Sequence, residues 1–280
     1  MNVRKPAVAG SFYPSDRAEL SRLIDECFLH RLGPGKLPPA APGSARLVSC
    51  VVPHAGYVYS GPVAAHSYLH VSSLPDPEVI VVVAPNHYGI GSGVSSFSSG
   101  AWETPLGRLC VDQEGAKKLA KAAGVVAFDP ESHRMEHSLE VQLPFLQRLY
   151  GDKVPFIPIS LAFQDQGTVA EVAKGVEAVL RDRKAVLIAS SDFTHYEPAD
   201  QARRKDLALV NDIESMDLEA FYSTLERLEV TACGFGAIAT VIAASKELGF
   251  KRGELLKYAS SGDTTGDSSQ VVGYGAIRFV

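Results

Sequence analysis

The chain alternates between apolar runs rich in β-branched residues and segments whose apolar positions have helical spacing. The apolar runs contain few polar residues, which is typical of strands in a sheet that helices cover on both faces. Alternation of strand and helix is typical of a largely parallel sheet. The sequence therefore predicts one α/β domain over residues 1–280, with a central largely parallel or mixed sheet and helices on both faces.

The boundaries of the elements follow from these runs. Strands are expected at residues 47–52, 79–84, 155–161, 185–189, 255–259 and 271–280. Helices are expected at residues 62–71, 113–124, 137–151, 167–182, 198–213, 218–228 and 236–249. A first helix follows Ser15 or Asp16, either of which can serve as its N-cap. The Pro/Gly-rich segment 33–45 is predicted to be a loop.

Two apolar runs end on the same pattern of proline, short step, histidine and glycine. "VVPHAG" places His54 after the first run, and "VVVAPNHYG" places His87 after the second. Ligands of open parallel sheets bind beyond the carboxyl ends of the strands, so both imidazoles are candidates for one crevice. Neutral imidazole is a common transition-metal ligand. The alternative for each histidine alone is a structural role in capping nearby backbone groups.

A third apolar run is followed by "SSDFTHYE", which contributes Asp192 and His195. A carboxylate close to a histidine can fix its tautomer and raise its basicity, or the two can act as a general base and the group that orients it. The alternative is that Asp192 caps the following helix and His195 is merely exposed.

A cysteine and two residues near the start of a predicted helix are further candidates for the site. Cys233 lies where a loop enters an apolar helix, where a thiolate is stabilised by the helix dipole, although a buried structural cysteine is the alternative. "HRMEHSLEVQL" places His137 and Glu140 either on the crevice wall or at the start of an amphipathic helix. Cys27, Cys50 and Cys110 lie in runs that are predicted to be core.

Composition narrows the possible functions. The net charge of −5 and the lack of a basic cluster argue against nucleic-acid binding. No apolar stretch approaches the roughly 20 residues of a membrane span, and the N-terminus lacks the apolar core of a signal peptide. Four scattered cysteines favour reduced thiols and a cytoplasmic location.

Taken in order, the motifs "VRKPAVAGSFYP", "VVPHAGYVYSG", "APNHYG", "EHSLEVQLPFL", "SSDFTHY", "TACGFGA" and "SSGDT" resemble the MEMO1 family over nearly the whole chain. That family is similar in fold to class III, LigB-type extradiol dioxygenases. The resemblance implies that His54, His87 and Cys233 hold the metal, with His195 as a further site histidine and Asp192 beside it. His137, Glu140 and Tyr57 are expected to surround these ligands.

The dioxygenases use a carboxylate where this chain has a cysteine. A thiolate is a softer ligand, so it favours copper or zinc more than two histidines and a carboxylate do, and it shifts the redox potential of iron. Three functions remain open on this basis. The first is a mononuclear iron or copper oxidoreductase acting on a small molecule, with His195 as acid/base. The second is a non-enzymatic module that binds a peptide or a small ligand. The third is a thiol hydrolase with Cys233 as nucleophile, His195 as base and Asp192 as orienter. The resemblance also implies a functional link to radical-SAM and AMMECR1-type proteins.

Overall fold

The structure, a computed structural model, describes residues 2–39 and 45–280. Its helices are α1 (Arg17–Leu29), α2 (Tyr57–Val71), α3 (Gln113–Ala123), α4 (Leu143–Tyr150), α5 (Gln166–Leu180), α6 (Ala199–Ser215), α7 (Leu218–Leu228), α8 (Phe235–Glu247) and α9 (Gly262–Thr265). Its strands are β1 (Val3–Arg4), β2 (Leu47–Val52), β3 (Val79–Pro85), β4 (Val94–Ser96), β5 (Ala101–Thr104), β6 (Gly107–Cys110), β7 (Ala127–Phe128), β8 (Phe156–Leu161), β9 (Ala185–Ser190), β10 (His195–Glu197), β11 (Gly253–Ser260) and β12 (Val271–Phe279).

The main sheet has nine strands in the order β10-β12-β2-β9-β3-β8-β4-β7, and β11 also pairs with β12. Its centre, β2-β9-β3-β8, is parallel, whereas β12 and β4 run antiparallel to their neighbours in that group. The carboxyl ends of β2, β9, β3 and β8 therefore lie along one edge, where the predicted crevice is expected. The predicted mixed α/β sheet is confirmed.

Helices cover both faces of this sheet, as neighbouring residues of β2 show. Ser49 meets Ser245 of α8, with 2.8 Å between the two hydroxyl oxygens. The next residue, Cys50, lies close to Tyr68 of α2. Since successive strand residues point to opposite faces, α8 and α2 must pack on opposite sides. The central strands between them are buried along their length, which explains their continuous apolar sequences.

Two predicted helices begin elsewhere than expected. Helix α2 starts at Tyr57, five residues before the predicted start, and continues through Pro62 at the loss of one backbone hydrogen bond. The helix predicted over 137–151 begins as a 3₁₀ turn at Glu140–Gln142 and becomes α-helical only at Leu143. Pro144 accounts for this start, because proline is favoured in the first turn of an α-helix.

Cys110 was predicted to lie in the core, and this prediction is wrong. A second, three-stranded sheet of β1, β5 and β6 forms beside the main one. On β6, Leu109 faces inward and is 1% exposed, so the adjacent Cys110 points to solvent. Of the predicted loop 33–45, residues 40–44 lie outside the described part of the chain. No described helix has the length and hydrophobicity needed to span a bilayer.

Candidate metal centre

Four chain segments meet at the carboxyl edge of the parallel strands. His54 lies two residues beyond β2, His87 two residues beyond β3 and Asp192 two residues beyond β9. Cys233 lies just before the N-terminus of α8. The His54 and His87 nitrogens and the Cys233 sulfur that could act as ligands all lie within 4.8 Å of one another.

The hydrogen bonds around Ser190 determine the tautomer of His54. The Ser190 hydroxyl donates its single proton to the carbonyl of Ser138, over 2.7 Å, and accepts from the Gln142 amide over 2.8 Å. His54 Nδ1 lies 2.9 Å from the same hydroxyl oxygen. Because the hydroxyl proton is already used, Nδ1 must be the donor. Nε2 therefore carries the lone pair, which is the form a metal ligand needs.

The ring of His54 is 2% exposed. Burial, followed by the charges that neighbouring His137 and His87 would carry, holds the pKa of His54 well below its usual range. The imidazole is therefore neutral near pH 7. Its backbone N–H donates to Asp192 Oδ1 over 2.7 Å, which fixes the chain at the point where β2 ends.

His87 is oriented by a carboxylate. Glu136 accepts from His87 Nδ1 over 2.9 Å and from the His87 backbone N–H over 2.6 Å, and it also accepts from the Ser138 N–H. Burial opposes ionisation of Glu136, but these hydrogen bonds outweigh it and lower its pKa to about 2. An ionised carboxylate only accepts hydrogen bonds, so His87 Nδ1 carries the proton and Nε2 is free to bind a metal.

Cys233 is held against the end of β9 by a glycine. A Cβ on Gly234 would lie 2.4 Å from the carbonyl oxygen of Ser190, so only glycine permits this approach. The approach brings Cys233 Sγ to 3.1 Å from His54 Nε2. Burial, and then the charge of Asp192, raises the pKa of the Cys233 thiol. Without a cation beside it, the sulfur is a thiol that can donate to His54.

His137 and His195 complete the set of imidazoles around the centre. The His137 ring stacks on that of His87 with centroids 4.7 Å apart and packs against Phe12 on its other side. Burial lowers the pKa of His137 to about 4, so it too is neutral near pH 7. His195 is half-buried, and its Nδ1 lies 3.0 Å from the carbonyl of Thr231, which leaves Nε2 available.

The expectation that Asp192 orients His195 is not met. The His195 ring is held by the Thr231 carbonyl, and the Asp192 carboxylate instead accepts from the backbone of His54. Asp192 is also not the cap of the following helix, since α6 has Pro198 at its N-cap. Burial raises the pKa of Asp192 to about 6, against the opposing effect of the hydrogen bond from His54.

Comparison with known proteins places this geometry in a family. The model of the Memo-like protein family matches residues 4–278. The chain belongs to this family. A MEMO1 family protein of Methanopyrus kandleri is 49% identical over 278 residues, which cover 99% of this chain and 98% of that protein. A MEMO1 family protein of Nitrosopumilus maritimus is 46% identical over 278 residues, covering 99% and 100% of the two chains.

A solved structure supports the fold of this Memo-like protein. An uncharacterized protein from Escherichia coli K12 superposes with a TM-score of 0.54 at 14% identity, covering 82% of this chain and 98% of that one. At this identity the likeness concerns the fold alone.

Two residues that were predicted to surround the ligands have other contacts in the Memo-like chain. Glu140 binds Arg4 over 2.6 Å and Tyr13 over 2.5 Å, so it fastens the N-terminal segment. The Tyr57 hydroxyl donates to the carbonyl of Val141 over 2.6 Å and is buried below the crevice. Neither side chain lines the cavity above the centre, whereas His137 does.

The groups that hold the imidazoles were not identified from the sequence. Glu136 stands next to His137 in "MEHSLE", so it was visible as one of several polar residues, but nothing distinguished it from Glu140. Ser190 lies at the end of the third apolar run, where serine carries no particular signal. Thr231 acts through its backbone carbonyl, which any residue could supply.

A cavity of about 920 Å³ opens above the centre. His54, His87, His137 and Cys233 form its floor, and Phe12, Tyr59, Tyr196 and Tyr274 contribute to its walls. It is large enough for a small organic molecule, since ligand pockets typically have volumes of about 300–1,000 Å³.

Proposed function

We propose that this Memo-like protein binds one transition-metal ion through His54, His87 and Cys233 and uses it in redox chemistry on a small organic molecule. The observation that carries the proposal is the direction of two lone pairs. Ser190 and Glu136 each take the Nδ1 proton of one histidine, so both Nε2 atoms are left as acceptors near the Cys233 sulfur.

The charge of Glu136 supports a cation at this place. Its side chain is fully buried, yet among the described residues its hydrogen-bond donors are two backbone N–H groups and one imidazole, with no lysine or arginine. A buried carboxylate without a cationic partner is costly. A metal ion on the opposite nitrogen of His87 would compensate this charge.

The donor set favours a transition metal, and among these iron and copper can carry redox chemistry. Thiolate is a soft ligand and imidazole an intermediate one, a combination that suits copper, iron or zinc much better than magnesium or calcium. Three protein ligands are the number found in catalytic zinc sites, whereas structural zinc sites use four. Bound there, a redox-active ion supplies electron exchange and Lewis acidity to the molecule in the cavity.

His195 is the best-placed general acid or base. Its Nδ1 donates to the Thr231 carbonyl, so its Nε2 is left to exchange a proton within the cavity. His137 is fixed between His87 and Phe12, and its lowered pKa keeps it neutral, so it is suited to positioning and to hydrogen bonding.

Two observations weigh against the thiol hydrolase. The Cys233 sulfur pairs with His54 and not with His195. Burial and the Asp192 charge both disfavour the thiolate that would have to attack. The non-enzymatic binding module draws on the same cavity, and its aromatic walls are the observation in its favour.

The deciding experiment is elemental analysis of protein purified without chelators, followed by anaerobic reconstitution with Fe(II), Cu(I) and Zn(II). We expect close to one ion per chain in the wild type. Cys233→Ser should lower the affinity by at least about tenfold, because a neutral hydroxyl replaces a thiolate. Cys110→Ser removes an exposed thiol far from the ligand set and is the matched control. A wild-type chain that takes up none of iron, copper and zinc would end the proposal and favour the binding module.

A further inference from the structure

The charge of the cavity lining is strongly one-sided. Asp192 lies near its floor and Asp267 near its outer part, while no lysine or arginine occurs among the described residues that line it. A ligand that carries a carboxylate or a phosphate would therefore find no cationic side chain on the wall.

Two basic residues that contact the segments lining the cavity are already engaged. Lys205 forms an ion pair with Glu197 over 2.6 Å, and both side chains are largely buried. Arg31 donates to the backbone carbonyl of Asp263. Neither residue lines the cavity.

Asp267 has one carboxylate oxygen available. Its Oδ1 accepts from the backbone N–H of Ser269 over 2.9 Å and from the Ser269 hydroxyl over 2.6 Å. Among the described residues no donor is bonded to Oδ2. The two hydrogen bonds lower the pKa of Asp267 and keep it ionised at neutral pH.

Aromatic side chains line the same cavity as this carboxylate. Tyr196 is 73% exposed and has a φ of 61°, a left-handed conformation that is rare for bulky residues. Strained backbone at a cavity is typical of functional positions. Tyr59, also exposed at 43%, and the half-buried Phe12 line the same space. Aromatic faces attract organic cations.

We propose that the cavity selects an organic cation with a flat apolar body, such as an arylalkylamine, whose ammonium group lies at Asp267 and against the aromatic faces of Tyr59 and Tyr196. The proposal rests on the proposed function, in which this molecule is the substrate of the metal centre. The cationic end must lie outward, because a metal ion on the cavity floor would repel it.

The test compares three probes of the same phenolic body: tyramine (a cation), p-cresol (neutral) and 4-hydroxyphenylacetate (an anion). Their affinities are measured by calorimetry on the full chain at low salt, as purified and after chelator treatment, with the metal content of each sample determined. Tyramine is expected to bind about 3- to 10-fold more tightly than p-cresol, from an exposed ion pair and a cation–π contact. The anion is expected to bind most weakly in the chelator-treated sample.

Asp267→Asn should reduce the preference for tyramine over p-cresol to less than about twofold and leave p-cresol binding unchanged. Asp182→Asn removes one exposed carboxylate just before β9, at the opposite edge of the sheet, and should keep the preference. Equal affinities of the three probes in both samples, or tightest binding of the anion in the chelator-treated sample, would overturn the proposal. So would a lack of saturable binding of tyramine, or a preference for tyramine that survives Asp267→Asn. If the chain contains no metal but the three probes keep the expected order of affinities, only the metal-based function would be refuted.

Discussion

Glu136→Gln tests how the carboxylate that holds His87 supports metal binding, through its charge and its hydrogen bonds. The substitution keeps the size of the side chain but replaces an acceptor of at least three hydrogen bonds with an amide that has one acceptor and one donor end. In the wild type the Glu136 carboxylate oxygens accept hydrogen bonds from His87 Nδ1 over 2.9 Å, from the His87 backbone N–H over 2.6 Å and from the Ser138 backbone N–H over 2.8 Å. At least one of these donors must lose its partner, or His87 must move its proton to Nε2.

The magnitude follows from the bond that is lost. A hydrogen bond to a charged group contributes about 1.5–3 kcal/mol, and about 1.4 kcal/mol corresponds to a factor of ten. We therefore expect metal affinity to fall by about 10- to 100-fold, in line with other residues that orient metal-binding histidines. The free energy of unfolding should also fall by about 1–3 kcal/mol, because a buried donor is left unsatisfied.

The assay is an anaerobic competition titration of metal against a chromogenic chelator, with thermal unfolding as a check on the fold. Glu131→Gln is the matched control, since Glu131 lies in the same segment, is 64% exposed and pairs only with the exposed Arg134. That surface ion pair contributes at most about 1 kcal/mol. A folded Glu136→Gln variant that binds metal as tightly as the wild type would refute the argument that the Glu136 carboxylate supports a metal through His87.

Three further predictions concern other parts of the chain. Arg4→Ala should lower the free energy of unfolding by about 3–5 kcal/mol in chemical denaturation, because it leaves Glu140 buried without its cation; a loss below 1 kcal/mol would contradict this. Burial, and then the charge of Arg4, lowers the pKa of His133 to about 3, so this neutral histidine stabilises the fold above pH 6.5 and the stabilisation is lost progressively as the pH falls toward 3. The His133 share of that loss is about 2 kcal/mol between pH 7 and pH 5, and His133→Gln should remove it from the pH dependence of unfolding, whereas an unchanged slope would count against it. His195→Gln should keep the wild-type metal content in elemental analysis, since Thr231 holds this ring outside the ligand set; loss of the metal would make His195 a ligand.

Most of the fold could be predicted because the central strands are buried on both faces. The strand 47–52 was placed at its observed bounds, and the helix 218–228 likewise, since continuous apolar runs and helical spacing are both local signals. The small sheet of β1, β5 and β6 was missed because its strands have only two to four residues. Such short strands depend on their partners and leave no periodic pattern in the sequence.

The position of the centre was predictable for a topological reason, and its internal hydrogen bonds were not. Parallel strands place their carboxyl ends at one edge of the sheet, so the histidines that follow β2 and β3 lie at the same edge whatever the rest of the sequence is. The partners of the His54, His87 and His195 rings lie 36 to 136 residues away along the chain. Serine and glutamate occur throughout the sequence, and every residue has a backbone carbonyl. Ser190, Glu136 and the Thr231 carbonyl therefore could not be distinguished as the partners.

A comparison of Glu136 with Glu140 shows which feature distinguishes a glutamate that holds a site histidine from one that does not. Glu136 and Glu140 are four residues apart, both are fully buried, and both precede the same helix. Arg4 reaches Glu140 from the N-terminal segment, so that carboxylate is neutralised within the protein. Among the described residues Glu136 has no such cation, and it holds His87 instead. Because a carboxylate surrounded by neutral donors is stabilised by any cation on the far nitrogen of that imidazole, the glutamate without a cationic partner marks the side of this segment that faces the proposed metal.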